Sequence, residues 1–200
     1  MADQERYDVS TTEGIRRRNA RAACLRIPLR FRGAEVTDPA IGAWCGRVAA
    51  WHCTGEPVQS LLITGPTGVG KTWQAYGAVK HVASLAGVPW LATSGPDLYA
   101  RLRPRDGCDS EGEFTRWSSV PLLMIDDFGA GKDSAWTEEV DYRLVNHRSE
   151  HLLPVIYTTN LPVRAPHGPS LESVLSERVF SRLAECLHVP LKGSDRRRSA

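Results

Sequence analysis

The sequence predicts an α/β fold, a parallel β-sheet covered by helices on both faces. Short apolar runs without polar alternation, such as Leu61-Leu62-Ile63 and Leu122-Leu123-Met124-Ile125, read as strands buried on both sides. Stretches with helical spacing separate them, as in a layered α/β core. The first apolar run leads directly into Gly65-Pro66-Thr67-Gly68-Val69-Gly70-Lys71-Thr72, a glycine-rich loop that functions only between a strand and a helix.

In chain order, residues 1 to 35 read as an arginine-rich N-terminal arm with a helical stretch from Glu13 to Leu25, ended by Pro28. The core domain is expected over residues 36 to 200. Asp38 caps a helix whose first residue is Pro39, and Ile41, Trp44, Val48 and Trp51 recur along it at helical spacing. Gly55-Glu56-Pro57 breaks that helix before a strand from Gln59 to Thr64. Beyond the loop, Trp73, Val79, Val82 and Leu85 mark a helix that Gly87 closes, and Val88 to Thr93 is the next strand. A helix from Gly95 to Arg103, a polar loop over 104–113 and a short helix from Phe114 to Ser119 precede the strand Pro121 to Ile125. Trp136 to Glu150 is helical and Pro154 to Thr159 is a strand. A proline-rich loop then leads to one long helix, Leu171 to Leu187, and a closing strand, Leu187 to Leu191.

Composition excludes several classes. With 200 residues, 42% hydrophobic and 24% charged, the chain is an ordinary soluble globular domain. No apolar run approaches the roughly 18 residues that span a bilayer, so no membrane contact is expected, and the polar, acidic N-terminus is not a secretory signal. Five cysteines without a CxxC pair argue against a disulfide framework or a zinc site and for a cytoplasmic protein. The net charge is only +2, yet seven arginines and no acid lie between Gly14 and Ala34. Arg16, Arg17, Arg18 and Arg21 suit a nucleic-acid backbone, or equally a solvated tail.

The chemistry begins at the loop. Gly65, Gly68 and Gly70 open backbone conformations that let successive N–H groups surround a phosphate. Lys71 adds a positive charge for the outer phosphates, and the Thr72 hydroxyl is placed for Mg²⁺. The loop therefore predicts binding of a nucleoside triphosphate. Asp126 and Asp127 follow four apolar residues, at the carboxyl edge of a buried strand, where open α/β sheets bind ligands. Asp126 suits the metal and Asp127 suits a general base for water. Asn160, after Tyr157-Thr158-Thr159, either reaches a γ-phosphate or simply opens the loop before Pro162. Arg178 and Arg182 share one helical face, as two solvated arginines or as an arginine offered to a neighbouring subunit's nucleotide.

Taken in order, GPTGVGKT, LLMIDDFG, the VNHR stretch leading to PVIYTTN, and SERVFSRL resemble an AAA+ ATPase of the DnaC/IstB type, bacterial and phage helicase loaders and transposition helpers. The resemblance runs from about Ile27 to Arg197, and Ile27-Pro28-Leu29-Arg30-Phe31 is similar to the family's IPxRF lead-in. It implies a P-loop NTPase with a three-layer αβα core, a parallel sheet and little or no C-terminal helical lid. It makes Lys71 and Thr72 the Walker A residues and Asp126 with Asp127 Walker B. Asn160 becomes sensor 1, Arg182 or Arg178 the finger acting in trans, and Arg197 sensor 2, although the family's tyrosine before that arginine is absent. It implies ATP and Mg²⁺ as cofactors and hydrolysis that depends on a homo-oligomer, DNA or a partner. The activity implied first is loading of a replicative helicase on single-stranded DNA, with a transposase-helper ATPase as the alternative. From another class, a small-molecule P-loop kinase would give no reason for Thr159-Asn160 or SERVFSRL.

Overall fold

Five strands form one sheet in the order β2-β3-β4-β1-β5, every neighbouring pair parallel. A computed structural model describes residues 11–107, 109–130 and 134–195. Along the chain lie α1 (Thr12–Arg26), a 3₁₀ turn at Leu29–Phe31, α2 (Pro39–Thr54), β1 (Leu61–Thr64), α3 (Lys71–Ala86), β2 (Trp90–Ser94) and α4 (Gly95–Leu102). They continue with α5 (Ser110–Ser119), β3 (Leu122–Asp126), α6 (Ala135–Glu150), β4 (Val155–Thr159), α7 (Leu171–Val174), α8 (Glu177–Ala184) and β5 (Leu187–Pro190).

Alternation along each strand divides the core into two layers. Leu61 and Ile63 of β1 pack with Trp44 and Val48 of α2 and Val79 and Val82 of α3. Leu62 faces the opposite side, in the cluster of Leu123, Tyr157, Leu144 and Phe180. Local chemistry sets the helix ends as expected at α2, where the Asp38 carboxylate accepts hydrogen bonds from the N–H groups of Ala40 (2.8 Å) and Ile41 (3.2 Å).

Three segments differ from expectation. The stretch read as an arm does not stand clear of the core. Ala23 and Ile27 are buried in the same cluster as α3. Arg26 donates from Nη2 to the Trp90 carbonyl at 2.6 Å and stacks over the Trp90 ring at 4.3 Å. Downstream, the backbone at Glu35 crosses α3 so closely that a Cβ on Gly77 would lie 2.7 Å from the Glu35 carbonyl carbon. Next, α5 begins within the expected loop, because Asp109 caps it by accepting from the Gly112 N–H at 2.8 Å. Finally, the helix expected from Leu171 to Leu187 is two helices. Leu175 (φ −105°, ψ 150°) and Ser176 (φ −61°, ψ 150°) are extended, while Ser170 and Ser176 occupy the two N-cap positions. The apolar spacing runs unbroken across that corner, so periodicity alone reads one helix. Among the described residues no helix follows β5, and no helix is long and apolar enough to cross a membrane.

Candidate nucleotide-binding site

The carboxyl ends of β1, β3 and β4 meet at one edge of the sheet, with β4 between the other two. Crevices at this edge are where open parallel sheets hold ligands. β1 runs into the loop at residues 65–70, and α3 starts at Lys71, so the loop sits at the positive end of that helix's dipole. Gly65 and Gly68 are required there. Gly65 has φ 148° and a Cβ on it would come 2.4 Å from the Leu191 carbonyl oxygen, while Gly68 has φ 82° and a Cβ would fall 1.8 Å from Oδ1 of Asp195.

Lys71 is nearly buried, and its Nζ donates to the carbonyls of Gly65 (2.8 Å) and Pro66 (2.9 Å) and to Oδ1 of Asn160 (2.6 Å). The same Asn160 oxygen accepts from the Thr67 hydroxyl at 3.4 Å, and its Nδ2 donates to Asp127 Oδ1 at 3.4 Å. Asn160 thus lies between the loop lysine and the second aspartate. The loop-opening role alone would not require this placement.

Thr72 Oγ1 lies 3.0 Å from each carboxylate oxygen of Asp126. Thr158, fully buried in the strand beside it, donates from Oγ1 to Asp126 Oδ1 at 2.5 Å and accepts from the Asp127 N–H at 3.1 Å. One hydroxyl therefore orients both acids. Burial holds the Asp126 carboxyl above the ordinary aspartate range. The Thr158 hydrogen bond opposes this, the Asp127 charge reinforces it, and Thr72 and Lys71 oppose it further. Asp127 has φ 52°, a left-handed conformation that aspartate tolerates better than most residues. A hydroxyl and a carboxylate this close form a hard oxygen pair that fits Mg²⁺, which Thr72 and Asp126 would hold beside the phosphates.

These groups line a cleft of about 600 Å³ whose remaining wall is Arg30, Phe31 and Trp73. Sequence reasoning missed these three as site residues. Phe31 stacks on Tyr76 with ring centroids 5.0 Å apart, and Trp73 keeps 37% of its surface exposed, so the wall offers ring faces to a base. A tryptophan two residues after Lys71, in the first turn of α3, was the available signal.

Other predicted residues lie elsewhere. Arg178 and Arg182 are exposed on α8 and face α6, outside this cleft. Arg178 lies 5.5 Å from the Tyr142 ring, and Arg182 Nη2 is 3.5 Å from Asn146 Oδ1. Arg16, Arg17, Arg18 and Arg21 are exposed on α1, and Arg17 pairs with Glu13 at 2.6 Å. Arg197 lies outside the described residues.

Residues 52–200 match the family described as IstB-like ATP binding protein. The chain belongs to this IstB-like family. The Gly65–Thr72 loop lies within the matched residues. The ATP-binding protein of insertion sequence IS1162 from Pseudomonas fluorescens is 35% identical over 112 residues, which cover 54% of this chain and 45% of that protein. An ATP-binding protein in an insertion sequence of Mycobacterium tuberculosis is 31% identical over 140 residues, covering 69% and 54%. The IstB-like chain spans about half the length of these relatives. The crystal structure of the DnaC helicase loader superposes with a TM-score of 0.64 at 22% identity, covering 82% of this chain and 100% of that one. At that identity the likeness shows the fold alone, a parallel sheet layered between helices with the glycine-rich loop after its first strand.

Proposed function

We propose that this IstB-like protein hydrolyses ATP with Mg²⁺ and couples the cycle to work on DNA beside a transposase. The observation that carries hydrolysis is the continuous contact from Lys71 through Asn160 to Asp127, next to the Thr72–Asp126 pair. Lys71 and the loop bind the phosphates, Thr72 and Asp126 hold the cation, and Asp127 takes the proton of the attacking water while Asn160 orients it. The ion screens charge on the phosphates. Arg178 and Arg182, exposed and outside their own cleft, are available to the nucleotide of a second copy. Arg16, Arg17, Arg18 and Arg21 offer α1 to a nucleic-acid backbone.

The sequence reading ranks helicase loading on single-stranded DNA first. Two relatives above 30% identity belong to insertion sequences, which supports the transposition role ahead of it. The likeness to the DnaC helicase loader supports the fold that both roles use.

The test is steady-state ATP turnover with no DNA, single-stranded DNA and duplex DNA, paired with capture of a transposase or a replicative helicase. Stimulation by duplex and retention of a transposase are expected, with activity lost in Lys71→Ala. Preference for single strands with retention of a helicase would restore the loader reading. Phosphorylation of a metabolite with indifference to DNA would replace both with a kinase.

A further inference from the structure

The chain beyond β5 builds a second wall against the phosphate loop. The Leu191 N–H donates to the Thr64 carbonyl at 2.7 Å, and the Leu191 carbonyl occupies the space beside Gly65. A Cβ on Gly193 (φ 139°) would sit 3.8 Å from Cγ2 of Val69. Asp195 ends the run against Gly68, where a Cβ would lie 1.8 Å from its Oδ1, 2.2 Å from its Cγ and 2.9 Å from its Cβ. The loop thus meets residues 191–195 at its first position, at Val69 and at its tip.

The tip is the outer-phosphate end of the site. Thr67, adjacent to Gly68, reaches Asn160, which contacts both Lys71 and Asp127. A carboxylate held there sets a negative charge beside the place a terminal phosphate must take, and like charges this close repel. The next residues in sequence are Arg196-Arg197-Arg198.

We propose that Asp195 is a triphosphate-sensing latch: its carboxylate and a nucleotide's terminal phosphate compete for the tip of the loop. A triphosphate lifts residues 192–195 off the loop, whereas a diphosphate leaves the latch seated. Asp195 therefore discriminates between the two nucleotides and reports which one is bound. This rests on the ATP site described above.

Calorimetric titration of the full chain with a non-hydrolysable ATP analogue and with ADP tests it. Asp195→Asn, which keeps the shape and removes the charge, is expected to bind the triphosphate about 3- to 10-fold tighter and ADP less than about twofold tighter, as for one partly screened charge. The gain should shrink in 0.5 M salt, where the Debye length is only about 4 Å. Asp195→Ala should behave alike, so a folding defect in one variant does not decide the matter. Hydrogen exchange at residues 192–195 should rise with the triphosphate analogue and not with ADP. An unchanged preference between the nucleotides in both variants, or unchanged exchange, overturns the latch. Failure of the unsubstituted chain to bind either nucleotide would instead overturn the site itself.

Discussion

The Nζ of Lys71 donates a 2.6 Å hydrogen bond to Oδ1 of Asn160, joining the start of α3 to the loop after β4. Since Asn160 also reaches Asp127, one amide links the loop lysine to the proposed base. Asn160→Ala is expected to leave ATP affinity within about threefold and to lower turnover at least about tenfold, as loss of a positioned polar group does. Asn160→Asp would place a negative charge against Lys71 and weaken ATP binding. Titration alongside steady-state kinetics separates the two effects.

Thr158 holds Asp126 and the Asp127 N–H through a single oxygen. Thr158→Val keeps the volume and leaves that half-buried N–H without its partner, which costs about 1–3 kcal/mol. Thr158→Ser should recover both stability and turnover. Urea unfolding and ATPase rates of the pair check this.

Arg148 is 1% exposed and donates to five carbonyls: Trp117, Ser118 and Val120 through Nη1, and Pro121 and Pro154 through Nη2. Burial pulls its pKa down to about 10. Arg148→Met is expected to destabilise the fold by about 3–5 kcal/mol, because several buried acceptors lose their donor together. A denaturation midpoint near that of the unsubstituted protein would contradict this role.

His147 stacks on His151 with ring centroids 4.1 Å apart. Burial, then the charges of His151 and Arg148, hold its pKa below the ordinary 6.5, against a smaller opposite pull from Glu150. The unfolded chain therefore takes up this proton first as pH falls through about 6.5. The resulting stability is present above that value and lost below it. Melting temperature should drop between pH 7.5 and 5.5, and more gently in His147→Gln.

If Arg178 or Arg182 serves a neighbouring copy, turnover per chain rises with protein concentration, and the Ala variant of the acting residue loses at least about 10³-fold in the assembled state. Mixing that variant with Lys71→Ala chains should restore part of the activity. Equal, concentration-independent rates in all forms would remove the trans arginine.

The phosphate loop and Asp126 are legible in sequence because their demands are local: glycines where the backbone must turn, a lysine directly after, an acid closing an apolar strand. The rest depends on distant pairings. The Lys71–Asn160 bond spans 89 residues, so Asn160 reads equally well as a loop opener until β4 is placed between β1 and β3. Arg148 reads as an ordinary helical arginine, since its partners are backbone atoms of other segments. The bend at Leu175 is hidden because a corner can preserve apolar spacing. Asp195 meets Gly68 only once β5 is laid beside β1.

Gly77 leaves no room for a side chain between α3 and the backbone at Glu35, and the Gln74 Oε1 accepts from the Thr37 N–H at 3.1 Å. The helix that begins with Lys71 is therefore held against the segment that joins α1 to α2, without slack at the crossing. A shift of α3 is thus passed to that segment, and to the end of α1, whose Ala23 is buried in the same cluster as α3. The helix that starts at Lys71 and the arginine-bearing helix then answer to the same displacement.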